Sequence, residues 1–99
     1  NQATVWSGTK GDYLTFAMKE NARPEKIVIY WSKIEEPAAF EIQASSGGGQ
    51  FITVYKGSIT ESGKFIDYPL KKDVVSDIRI LLTAGKASIS EIKLNDIHL

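Results

Sequence analysis

Residues 26–57 read KIVIYWSKIEEPAAFEIQASSGGGQFITVYKG, three apolar segments parted by two insertions. The first segment, Ile27-Val28-Ile29-Tyr30-Trp31, is β-branched and aromatic throughout. It is too short for a stable helix and suits a strand covered on both faces. The second, Phe40-Glu41-Ile42-Gln43-Ala44, alternates strictly, which puts Phe40, Ile42 and Ala44 on one face and the polar pair on the other. The third, Phe51-Ile52-Thr53-Val54-Tyr55, is again β-branched and aromatic. Ser45-Ser46-Gly47-Gly48-Gly49 between the second and third is a turn or loop. Residues 32–39, SKIEEPAA, form the other insertion; Pro37 stops any helix there, and a functional loop is expected. The centre of the chain thus reads as three strands, the last two a hairpin.

The flanks continue the pattern. Val5-Trp6-Ser7-Gly8 precedes a polar turn at residues 9–12. Residues 13–19 alternate, with Leu14, Phe16 and Met18 on one side, before Pro24 breaks the run. Residues 56–64, KGSITESGK, are polar and Gly-bounded, with Ile59 as the apolar anchor. Phe65-Ile66-Asp67-Tyr68 is a short strand closed by Pro69, and residues 70–76 connect onward with room for a helical turn. Residues 77–83 place Ile78, Ile80 and Leu82 on one face, Arg79 and Leu81 on the other. A turn, TAGKA at 83–87, a last strand at 88–94 and a tail at 95–99 complete the chain. Seven or eight short strands joined by turns predict an all-β fold, an antiparallel β-sandwich or jelly roll, in a single domain over residues 1–99.

Charge and composition exclude several functions. Twelve basic and twelve acidic residues balance, and no like-charge run exceeds Lys71-Lys72 or Glu35-Glu36. Nucleic acid needs a clustered basic face, so it is not an expected partner. No apolar run approaches the ~20 residues that span a bilayer. The absence of cysteine excludes disulfides, thiolate metal sites and cysteine catalysis. His98 is the single histidine and stands near the chain end, so no catalytic or metal role is assigned to it. Gly85-Lys86 matches the end of a phosphate loop, but Ile80 stands where the upstream Gly belongs and Ala87 where Ser or Thr would hold magnesium. The carboxylates lack the alternate-position spacing of a calcium loop. The expectation is no enzyme, no catalytic residue and no metal site.

The order of these motifs resembles the discoidin family, also called the coagulation-factor C-type domains, which includes galactose-binding-like modules of bacterial enzymes. The resemblance lies in an apolar strand ending in Trp31-Ser32, a strand of the type Phe-x-Ile-x-x-Ser at Phe40–Ser45, and a Gly-rich turn followed by the aromatic Phe51 and Val54. Asp77-Ile78-Arg79-Ile80 is similar to the family's late Arg-containing strand, and Ile89-Ser90-Glu91-Ile92-Lys93-Leu94 to its closing strand. The family's first strand and calcium loop are expected to be missing, since five residues precede Trp6. Calcium, common in the family, is therefore unsupported, and no cofactor is expected.

The resemblance implies non-catalytic recognition of a glycan or cell-surface ligand by part of a larger secreted or cell-surface protein. Ligands would sit on loops at one end of the sandwich, here residues 32–39 and 83–87. An aromatic face under the sugar ring and polar groups on its hydroxyls would do the binding. The candidates are Trp6 or Trp31 as the platform, with Lys33, Glu35, Glu36 and Lys86 as polar groups. The structural alternatives are Trp6 closing one end of the core, Trp31 buried, and the charges merely solvated. The loop at 32–39 lacks the Arg pair that galactose-binding members often carry. The second function considered is a β-sandwich that binds a protein partner or serves a structural role, without sugar.

Overall fold

Two strands of 20 residues each carry the architecture. The computed structural model describes residues 5–70, 75–95 and 97–98. Its strands in chain order are β1 (Trp6–Thr9), β2 (Tyr13–Ala22), β3 (Lys26–Ser45), β4 (Ile52–Ile59), β5 (Lys64–Pro69), β6 (Val75–Leu94) and β7 (Ile97–His98). All pairings are antiparallel, and among the described residues there is no helix. Of the connection at 70–76, where a helical turn had room, residues 71–74 lie outside the described residues and Val75 and Ser76 already belong to β6; the side chains of Met18 and His98 also lie outside them.

Each long strand serves two layers. The first part of β3 lies between β5, where Ile29 faces Ile66, and the end of β6, where Ile29 faces Ile92. Its last part lies between β4, where Phe40 faces Gly57, and the start of β6, where Phe40 faces Leu82. On its other side β6 pairs with β2 through Arg79 and Thr15, and with β1 through Ala87 and Gly8. One layer is therefore β5-β3-β6-β1 and the other β4-β3-β6-β2. They share β3 and β6, which cross from layer to layer at a common corner near residues 32–39 and 83–88.

Both stretches at that corner were expected to be loops. They are strand instead, with Lys33 paired to Ser88, Ile34 to Ala87, Glu36 to Lys86 and Ala39 to Ala84. The reason is bulging. Register shifts fall repeatedly between Tyr30 and Phe40, and each extra residue on one strand moves its alternation out of phase. In β3 the buried set passes from Ile27, Ile29 and Trp31 to Ala38, Phe40, Ile42 and Ala44, from odd to even positions. In β6 it passes from Ile78, Ile80 and Leu82 to Ala87 and Ile89, then to Ile92 and Leu94. Period-two reading finds each segment and loses the join. Residues 56–59, also expected to be loop, extend β4.

Gly85 lets the corner close. Its φ is +81°, and a Cβ there would stand 2.1 Å from the Pro37 carbonyl oxygen. Any side chain would meet both a left-handed backbone and a neighbouring main chain. Inside, the apolar segments meet as aromatics: Phe40 lies 5.1 Å from Trp31 and 5.1 Å from Tyr68, centroid to centroid. The indole Nε1 of Trp31 donates to the Tyr68 hydroxyl at 2.9 Å. Burial pushes the Tyr68 phenol up to about 12, against the opposing pull of that hydrogen bond.

At the far end of β3, Ser45 Oγ receives the Gly47 N–H at 3.1 Å and turns the chain into the expected hairpin. Asn95 closes the sandwich below: its Oδ1 accepts from the Glu25 and Lys26 amides, and its Nδ2 donates to the Arg23 carbonyl.

Candidate functional site

The corner gathers four of the six residues singled out from sequence. Glu35 stands between two lysines: Oε1 lies 3.5 Å from Lys33 Nζ and Oε2 lies 3.7 Å from Lys86 Nζ. Glu36 is opposite Lys86 in the β3–β6 ladder. All four side chains reach solvent, so the ion pairs contribute little to stability, at most ~1 kcal/mol each. Their chemical value lies elsewhere. Each ammonium has three donors and each carboxylate two acceptor oxygens, so most of their capacity remains for hydroxyl groups. The cluster sits on bulged strands rather than on loops, which holds the backbone beneath it in register.

The two tryptophans are elsewhere. Trp31 is fully buried at 0% exposure with its N–H bonded to Tyr68, so the platform expected there is corrected to a core side chain. Its position at the end of an unbroken apolar run is the signal for that. Trp6 is half-buried and packs against the core from the edge strand β1. Its six-membered ring lies across Gly8, where an added Cβ would come within 2.5 Å of the indole. Trp6 pairs with the buried Ile89, and Lys86 pairs with Thr9 three residues along. By alternation Trp6 shares the inward face, and Lys86 points the other way.

A second cluster was not singled out from sequence. The outer face of the β4-β3-β6-β2 layer carries a row of Thr53, Gln43, Arg79 and Thr15, one from each strand. The Arg79 guanidinium carbon lies 3.9 Å from the Phe51 ring centre and 4.5 Å from that of Tyr13. Tyr13 is 55% exposed. The sequence signal was present: Arg79 is the outward residue between two inward isoleucines, and Phe51 follows the Gly-rich turn. Beside the row, Glu41 Oε1 accepts from Thr53 Oγ1 at 2.6 Å and from Gln43 Nε2 at 3.2 Å. Those bonds, Thr53's first, hold the Glu41 carboxyl below its ordinary range. Among the described residues, no three His, Cys, Asp or Glu side chains gather as a metal site requires.

The sequence matches no family model and no curated protein. Solved structures do match in fold. One is the CBM32 of AlyQ in complex with 4,5-unsaturated mannuronic acid, at TM-score 0.77 and 22% identity, over 92% of this chain and 76% of that one. Another is a pectin-binding carbohydrate-binding module, at TM-score 0.78 and 18% identity, over 93% of this chain and 71% of that one. A third is chitosan-binding module 1 of a chitosanase/glucanase from Paenibacillus sp. IK-5, at TM-score 0.73 and 18% identity, over 95% and 77% of the two chains. The chain has the antiparallel β-sandwich fold of such carbohydrate-binding modules.

Proposed function

We propose that this chain is a non-catalytic glycan-binding module, part of a larger secreted protein. The observation that carries the reading is the fold match over nine-tenths of the chain to modules described as sugar- or polysaccharide-binding. The corner supplies the chemistry: Lys33, Glu35, Glu36 and Lys86 offer donors and acceptors on a stiff base, suited to the alternating hydroxyls of a sugar ring. The six-residue candidate set is thereby reduced to four, with Trp31 removed as a buried side chain and Trp6 removed because it packs inward against the core. The discoidin resemblance supports the same reading at the level of the shared fold.

The protein-binding alternative loses part of its motive, because Ile34 packs against the core instead of standing out as an apolar tip. A glycan array followed by titration of the strongest ligand tests the proposal. Glu35→Gln and Lys86→Gln are each expected to weaken binding about tenfold while shifting stability by under ~1 kcal/mol. Silence across neutral and acidic plant, algal and animal glycans would remove it.

A further inference from the structure

We propose that the outer face of the β4-β3-β6-β2 layer is a second saccharide subsite, and that Arg79 there takes the carboxylate of an acidic sugar. This rests on the glycan-binding reading and adds a ligand class and a place distinct from the corner.

The argument starts from an unpaired charge. Arg79 is held between Phe51 and Tyr13, but no carboxylate among the described residues pairs with it. The two acids on its face are occupied by other donors. Asp77 receives the Ser76 hydroxyl at 2.8 Å, and Glu41 receives Thr53 and Gln43. Within the guanidinium group, Nε is buried without a partner. No hydrogen bond or ion pair among the described residues engages the terminal nitrogens, which leaves their donors for a ligand. Two rings within 4.5 Å restrict the guanidinium in advance, and a planar fork of N–H donors fits a carboxylate in two-point fashion. The setting suits a sugar as well. Gln43 and Thr15 flank the arginine in the same row, and Tyr13 offers an exposed aromatic rim at the end nearer the corner. Arg79, Gln43, Thr15 and Tyr13 therefore provide an anion receptor, hydroxyl partners and an apolar contact on a rigid sheet face.

The test is an amide-resolved NMR titration of the whole chain with four probes: oligogalacturonate, its fully methyl-esterified form, a neutral galactan oligomer and a sulfated galactan oligomer. Oligogalacturonate is expected to shift the amides of Thr15, Gln43 and Arg79, and the methyl ester to leave them still. Arg79→Gln should weaken the uronate at least tenfold. Arg79→Lys, which keeps the charge and loses the fork, should recover only part of that. Tyr13→Ala, at an exposed position, should weaken binding about threefold without unfolding the chain. Shifts confined to residues around Glu35 and Lys86 would overturn the subsite and leave the corner reading intact. An Arg79→Gln variant that melts earlier but binds equally well would reduce the stack to a clamp on the hairpin. Preference for the sulfated oligomer would overturn the carboxylate assignment. No shift with any probe would overturn this subsite, whereas the parent glycan-binding reading falls only to silence across the glycan array.

Discussion

Glycine plays opposite parts in the hairpin at residues 45–51 and in the corner around residue 85. Gly47, Gly48 and Gly49 all have positive φ, at +120°, +77° and +77°, and an added Cβ would meet nothing within 4 Å at any of them. Gly85 has nearly the same backbone, φ +81°, but faces the Pro37 carbonyl and the Ala38 Cα at 2.1 and 2.6 Å. In the hairpin glycine serves conformation alone. At the corner it serves conformation and space together, because two main chains cross where a side chain would go. The hairpin is an open turn on the surface, whereas the corner is packed structure that carries Lys33, Glu35, Glu36 and Lys86 on its outside.

The largest effect expected from that difference is at Gly85. Gly85→Ala should cost more than ~4 kcal/mol, since the strain of φ and the clash with Pro37 add. Chemical denaturation measures it, and a loss as small as the hairpin's would show that the corner is as yielding as a loop. The support beneath the corner comes next. Trp31→Phe removes the donor to Tyr68 and leaves space behind Phe40, for about 2–3 kcal/mol.

The same pair gives a pH signature. The folded Tyr68 pKa of about 12 stands above the ordinary 10.0. The neutral phenol is thus favoured by folding, and its full contribution is present below about pH 10. It is lost as pH rises toward about 12, by on the order of 2 kcal/mol. A stability profile flat across that window would mean that Tyr68 is more hydrated than its packing implies. The smallest effect is in the hairpin, where Gly48→Ala should cost only about 1 kcal/mol for the left-handed backbone, and Gly48→Asn less.

The limits of the sequence reading follow from the same contrast. Ile27 to Trp31 and Phe40 to Ala44 were legible as strands because side-chain period two needs only a few residues to declare itself. The hairpin was legible because three consecutive glycines suit no strand interior. The corner was not, because bulges change the phase of burial between Trp31 and Ala38 and between Leu82 and Ala87, and a phase break looks the same as a loop. Pro37 added to the illusion, although an exposed strand position with a bulge tolerates it. Lys33, Glu35, Glu36 and Lys86 were found through a resemblance that placed them on loops, and their proximity survives the correction to strands. Trp31 was carried as both platform and core, and its place at the end of an unbroken apolar run was the signal for the core. The row at Arg79 was overlooked because it draws one residue from each of four strands, an assembly that only registration between distant segments creates.

Strands held in common have one more consequence. Because β3 and β6 are central to both layers, neither layer can peel away without stripping the other of its backbone partners. Half-open forms, whose bare strand edges would recruit further copies of the chain, are thereby kept scarce. A sandwich joined in this way can remain crowded for long periods without clumping.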